Sequence, residues 1–107
     1  MRKIEFLFFE GCPSYKDALK NLKDAIAEEN IETEIEMINV DSPEKAGQYG
    51  FQGSPSIRID GSDLENSNDG YNYSCRIYTI NGKKTGIPTK EFIRARIRAV
   101  AFHQADE

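Results

Sequence analysis

The sequence predicts an α/β fold: a four-stranded mixed sheet with helices on both faces, in the order β-α-β-α-β-β-α. Three observations carry this expectation. Residues 3–9 (KIEFLFF) begin as an alternation and end apolar on both faces, as a central strand covered on both sides does. Residues 18–26 and 92–101 place apolar side chains at helical spacing. Residues 31–40, 56–60 and 75–80 show the two-residue period of strands.

Each element has its own signals. Gly11-Cys12-Pro13-Ser14 breaks the first strand, and Ala18, Leu19, Leu22, Ala25 and Ile26 then form one helical stripe opposite Lys16, Asp17, Lys20, Lys23 and Asp24. Asn30 is the expected stop. In 31–40, Glu32, Glu34 and Glu36 share one face, which suits an edge strand that must not pair with another molecule. Ser42, Pro43 and Glu44 read as an N-cap, a first-turn proline and an acidic first turn, and Gly50 as the stop. Residues 56–60 (SIRID) form a short strand, 61–74 a polar loop, and 75–80 (CRIYTI) a last strand ended by Asn81-Gly82. Thr89 can cap the final helix, with Phe92, Ile93, Ile97, Val100 and Ala101 on its apolar stripe and Arg96 along the rim. A strand, helix and strand joined by short links form a parallel unit, and the last two strands an antiparallel pair.

The 107 residues suit a single domain over residues 1–107. Eighteen acidic against fourteen basic residues argue against nucleic acid as the partner, because phosphate binding needs a basic footprint. No apolar run approaches the ~20 residues of a membrane span. The opening apolar stretch is interrupted by Glu5 and too short for a signal peptide, so the expected location is cytoplasmic and the two cysteines are expected as free thiols. A monomer or weak dimer is expected.

Two short motifs lie about 40 residues apart at the ends of two strands: Gly11-Cys12-Pro13-Ser14-Tyr15 and Gly53-Ser54-Pro55-Ser56. In this order of elements the chain resembles the thioredoxin superfamily over nearly its whole length, at glutaredoxin size. The first motif stands where that family places C-x-x-C, and the second where it places its cis-proline loop. The resemblance implies a cis bond before Pro55, a nucleophilic Cys12 and a substrate surface formed by Pro13, Ser14, Tyr15, Ser54 and Pro55. It also implies that the main chain of Ser54 can pair with an extended substrate by strand addition. The chain departs from the family where Tyr15 replaces the second thiol of C-x-x-C. That makes the pattern similar to monothiol glutaredoxins, although Glu10 stands where those carry Lys. Residues 81–86 lie where the family binds glutathione.

A thiolate, not a thiol, attacks a disulfide, and the start of a helix favours the anion. Cys12 precedes the first turn of a helix, with Lys16 as the nearest cation and Glu10 and Asp17 as opposing acids. Two readings stand side by side: a reactive thiol, or a small buried residue in a tight turn. Cys75 is the candidate second thiol. If 75–80 returns antiparallel beside 56–60, Cys75 starts at the far end, about 13–16 Å from Cys12, beyond the roughly 7 Å that a disulfide spans. Only an irregular course of the 61–74 loop would break that register, and the plain reading of Cys75 is a packed strand residue on the face of Ile77 and Thr79.

Asp60, Asp63, Glu65 and Asp69 invite a calcium loop, but aligning Gly70 with the required glycine puts Arg76 at the closing carboxylate position, so a solvated loop is expected and no metal. His103 lies near the end of the last helix, and Arg94, Arg96 and Arg98 read as a solvated or rim surface. The expected function is a monothiol thiol-disulfide oxidoreductase, with Cys12 forming a mixed disulfide with a protein or small thiol and glutathione as candidate co-substrate. The alternatives are a non-enzymatic binding module that holds an extended peptide, or a soft-metal-handling thiol protein.

Overall fold

The chain is mixed α/β, with three helices and a four-stranded mixed sheet; the computed structural model describes residues 3–65 and 72–105. Strand β1 (Ile4–Phe8) lies inside the sheet, between β2 (Ile35–Asn39), parallel to it, and β4 (Ser56–Ile59), antiparallel to it. Ile4, Phe6 and Phe8 face one way and meet α1 (Tyr15–Glu28) and α3 (Lys90–Ala105) in a cluster with Ala18, Leu22, Ile57, Ile93 and Ile97. Leu7 faces the other way, onto Ile38, Val40, Phe51 and Ala46 of α2 (Pro43–Tyr49). The double-sided apolar pattern of 3–9 thus corresponds to two separate buried clusters.

Local signals act as expected in the helices. Ser42 accepts from the Lys45 N–H at 3.2 Å, Pro43 opens α2, and Gly50 closes it at φ +61°. Thr89 accepts from the Phe92 N–H at 3.1 Å, capping α3. Asn30 sits just past α1 at φ +56°. The arginines of α3 bear more load than a solvated surface does. Arg94 and Arg98 grip Glu29 at 2.8 and 2.9 Å, and Lys90 reaches Glu28 at 2.6 Å, tying α3 to the end of α1. The guanidinium groups of Arg98 and Arg94 hold the Glu29 carboxyl below its usual value. The side chain of His103 lies outside what the structure describes.

The second half of the sheet departs from expectation. Its fourth strand is β5 (Ser62–Asp63), joined to β4 by a two-residue turn in which Asp60 (φ +50°) and Gly61 (φ +87°) are both left-handed. Residues 75–80 do not form one strand of the four-stranded sheet. They divide between β6 (Asn72–Cys75), which runs parallel to β3 (Gln52–Ser54), and β7 (Tyr78–Ile80), which forms a hairpin with β8 (Lys83–Thr85). Residues 81–86, set against a glutathione-binding segment, include that hairpin's turn and β8. The faces are inverted as well: Arg76 and Tyr78 are buried, whereas Ile77 is 63% exposed. Burying Arg76 became feasible because Asp63 neutralises it.

Candidate functional site

Cys12 follows β1 in a turn closed by its own N–H donating to Phe9 O at 3.2 Å, three residues before α1 begins. Its side chain turns inward, 1% exposed, and the thiol donates to the carbonyl of Ser54 at 3.5 Å. Ser14 makes no capping hydrogen bond, and its hydroxyl lies so close to Gly86 that a Cβ there would meet it at 3.1 Å. Tyr15 stacks on Phe8, ring centroids 4.7 Å apart. The aromatic that stands in place of a second thiol is therefore packed on the apolar cluster rather than presented to a ligand.

The Ser54–Pro55 bond is cis, as the resemblance implied. Every part of this loop has a partner. Ser54 is fully buried, and its hydroxyl accepts from the Phe9 N–H at 3.3 Å. The Pro55 carbonyl accepts from the Tyr78 hydroxyl at 2.6 Å. Ser56 donates to Gly53 O at 2.6 Å and accepts from the Arg76 guanidinium at 3.1 Å. The Ser54 carbonyl, expected to receive an extended substrate, accepts instead from the chain's own Arg76 N–H at 2.8 Å.

That hydrogen bond brings Cys75 to Cys12. In the parallel β3–β6 ladder Cys75 is paired with Ser54, the residue whose carbonyl Cys12 touches. The two thiols meet: hydrogen bonding to Cys12 pushes the Cys75 thiol up from its ordinary value, with burial and the charge of the Cys12 sulfur adding to it. The separation inferred for an antiparallel return does not apply, because Cys75 ends a strand, β6, that runs parallel to β3, with its C-terminal end at the site. Both sulfurs are free thiols, Cys12 buried and Cys75 exposed. Tyr73, two residues earlier, packs against Phe9 at 5.1 Å and closes the rim.

A charged anchor holds β6 in place. Arg76 makes two parallel 2.6 Å bonds to the Asp63 carboxylate, reaches Glu65 at 3.4 Å, and lies 4.4 Å from the centre of the Tyr78 ring. Burial opposes the Arg76 charge, but the Asp63 hydrogen bonds, with Tyr78 and Glu65, hold its pKa above the ordinary arginine value. Burial likewise drives the Tyr78 phenol well above its usual range. Asp63 is thus an interior ion-pair partner and not part of a solvated loop, while Asp69 and Gly70 lie outside the described residues. Gly53 makes the close fit of β3 and β6 feasible: at φ +106°, a Cβ on it would stand 2.9 Å from the Arg76 Cβ.

Of the residues expected at the site, the structure gathers Cys12, Ser54, Pro55 and Cys75 into one cluster and directs the rings and hydroxyls of Tyr15 and Ser14 elsewhere. Arg76, Asp63 and Tyr78 complete the cluster without having been expected there. Among the described residues no group of three or more His, Cys, Asp or Glu could hold a metal ion, and no helix is long and apolar enough to cross a membrane. No known protein family, curated protein or solved structure matches the chain.

Proposed function

We propose that this chain is a thioredoxin-like thiol–disulfide exchange protein whose working unit is the pair Cys12 and Cys75, with a protein or small-molecule thiol or disulfide as its partner. The observation that carries the reading is the meeting of both cysteines on Ser54 beside the cis Ser54–Pro55 bond: Cys12 donates to its carbonyl at 3.5 Å, and Cys75 pairs with it in the β3–β6 ladder. Two thiols brought together on Ser54 need no second protein to complete an exchange, so the expected monothiol cycle becomes a dithiol cycle within one chain.

The electron count closes simply. A thiolate of the pair attacks one sulfur of a substrate disulfide; a mixed disulfide forms, and the other substrate sulfur leaves and takes a proton. The second thiolate of the pair then attacks the protein sulfur of the mixed disulfide and releases the remaining substrate thiol. The substrate gains two electrons and two protons, and Cys12 and Cys75 end as a disulfide. Glutathione, as co-substrate, restores the dithiol and is itself oxidised to its disulfide. The surroundings suit a pair that must stay in register, because Arg76, Tyr78 and Ser56 immobilise the loop on which both sulfurs rest.

Equilibration in glutathione buffers, read by intact mass, tests the reading. Wild type is expected to lose two hydrogens and form an internal disulfide that neither Cys12→Ser nor Cys75→Ser can form. A wild type that accumulates only glutathione adducts, with no internal disulfide at any ratio of buffer, overturns it.

A further inference from the structure

We infer that Cys75, and not Cys12, is the cysteine that carries the mixed disulfide with the partner, so that Cys12 is the buried resolving and leaving sulfur. This rests on the dithiol reading above and reverses the roles that the Cys12 motif implied.

Access decides the order. Sulfur displacement proceeds in line: the attacking thiolate approaches along the S–S axis, from the side opposite the leaving sulfur, and which sulfur is reachable governs the rate. For a Cys12–Cys75 disulfide, attack on Cys12 would come from the side away from Cys75. That side is the interior, since Cys12 is 1% exposed and its thiol rests on the Ser54 carbonyl. Attack on Cys75 comes from the side away from Cys12, and of the two residues Cys75 is the exposed one.

Displacing β6 to uncover Cys12 is unfavourable. The main chain of Arg76, next to Cys75, donates to Ser54 at 2.8 Å, and its guanidinium is locked to Asp63 with both side chains at most 7% exposed. The strand that brings Cys75 to the site also occupies the Ser54 carbonyl on which an extended partner would otherwise pair. A partner therefore meets the outer surface of β6, where Tyr73 and Ile77 flank Cys75 in exposed positions.

Exchange is reversible, and the same sulfur carries the partner in either direction. In the direction of partner oxidation, a partner thiolate attacks Cys75 Sγ; the partner–Cys75 bond forms, the Cys12–Cys75 bond breaks, and the electron pair goes to Cys12, which leaves as a thiolate and then takes a proton. A second partner thiolate attacks the partner sulfur of the mixed disulfide, and Cys75 departs and is protonated. The partner's dithiol is oxidised to a disulfide, and the protein's disulfide is reduced. A low-molecular-weight disulfide such as glutathione disulfide regenerates the oxidised pair.

The test uses glutathione as the probe, on the full chain. Oxidised wild type is mixed with glutathione, quenched with acid after short times, and the adduct located by peptide mapping. In parallel, reduced Cys12→Ser and Cys75→Ser proteins, checked by circular dichroism, are exposed to glutathione disulfide. The adduct is expected on Cys75, and Cys12→Ser, which keeps Cys75, is expected to form it at least about tenfold faster than Cys75→Ser. An adduct on Cys12, or equal rates in the two variants, overturns the assignment while leaving the dithiol reading intact. Failure of wild type to form the internal disulfide overturns both. Should either variant misfold, the wild-type mapping alone decides.

Discussion

At the scale of single residues, the site rests on buried polar groups that are all paired, and removing one partner exposes the dependence. Asp63→Ala leaves the Arg76 guanidinium 5% exposed with the longer Glu65 contact as its remaining carboxylate and the Ser56 hydroxyl as a neutral partner, and breaking such a pair costs about 3–5 kcal/mol. Urea unfolding should show that loss, and an Arg76→Met, Asp63→Leu double variant should recover much of it, since the cost lies in the stranded charge rather than in the missing pair. A double variant as unstable as Asp63→Ala would argue against this account. Tyr78 sets a pH limit. Its phenol is raised in the folded state, by burial above all, so the native state keeps a proton that the unfolded chain loses near the ordinary value of about 10. Its contribution is therefore complete below about pH 10 and is lost as pH rises further, by about 1.4 kcal/mol per unit. Cys75 has the same sign from a lower starting pH, but its exposure keeps the effect small. Stability measured from pH 9 to 11 should fall, and Tyr78→Phe should flatten the slope above pH 10 after a loss of about 1–3 kcal/mol from the stranded Pro55 carbonyl. An unchanged slope in that variant would remove Tyr78 from the explanation.

At the scale of elements, the order of the first half was legible because each piece carries its own local signal. The double-sided strand, the capped helix at Ser42 and the αL glycine at Gly50 act within a few residues of where they are written. The second half was misread for two identifiable reasons. Asp60-Gly61 is a strong hairpin signal, but the expectation divides it, with Asp60 ending the strand 56–60 and Gly61 opening the polar loop. The inward face of 75–80 was assigned by apolarity, which cannot anticipate that an arginine goes inside once Asp63 has been folded beneath it. The parallel pairing of β3 and β6 joins segments separated by an intervening hairpin, and no local pattern announces it; Gly53 is its one trace in the sequence. That residue also allows a test at this scale. Gly53→Ala meets both a left-handed backbone and a 2.9 Å approach to Arg76, so β3 and β6 must separate. The variant is expected to lose about 1–3 kcal/mol and, more tellingly, to form the Cys12–Cys75 disulfide more slowly in glutathione buffer. Normal disulfide formation in a folded Gly53→Ala protein would show that the ladder does not set the approach of the two sulfurs.

At the scale of the whole molecule, the pairing of Cys12 with Cys75 links the start of the chain to its last third. The four-stranded sheet, α1 and α2 all lie within the span from 12 to 75 or border it, whereas α3 is attached through the apolar cluster and the ion pairs of Lys90 with Glu28 and of Arg94 with Glu29. A bond between the two sulfurs would close a long loop, and closing a loop of that length restricts the unfolded chain by about 4 kcal/mol, before any strain in the folded state is subtracted. Because both cysteines are free thiols held against Ser54, the folded structure already brings together the two residues that the bond would join. The oxidised protein is therefore expected to unfold at a higher urea concentration than the reduced protein, with the difference abolished by Cys12→Ser or Cys75→Ser. The sign of that difference carries information about function. A large gain in the oxidised state means that folding favours the disulfide, making the pair a weak oxidant and a better reductant of its partners, since stability and reduction potential are linked by one cycle. A gain near zero would mean that the folded protein strains the bond as much as loop closure favours it, and the pair would then act as an oxidant. Equal unfolding midpoints for the two forms, together with rapid reduction of the bond by glutathione, would thus assign the protein to substrate oxidation; a higher midpoint for the oxidised form would assign it to disulfide reduction.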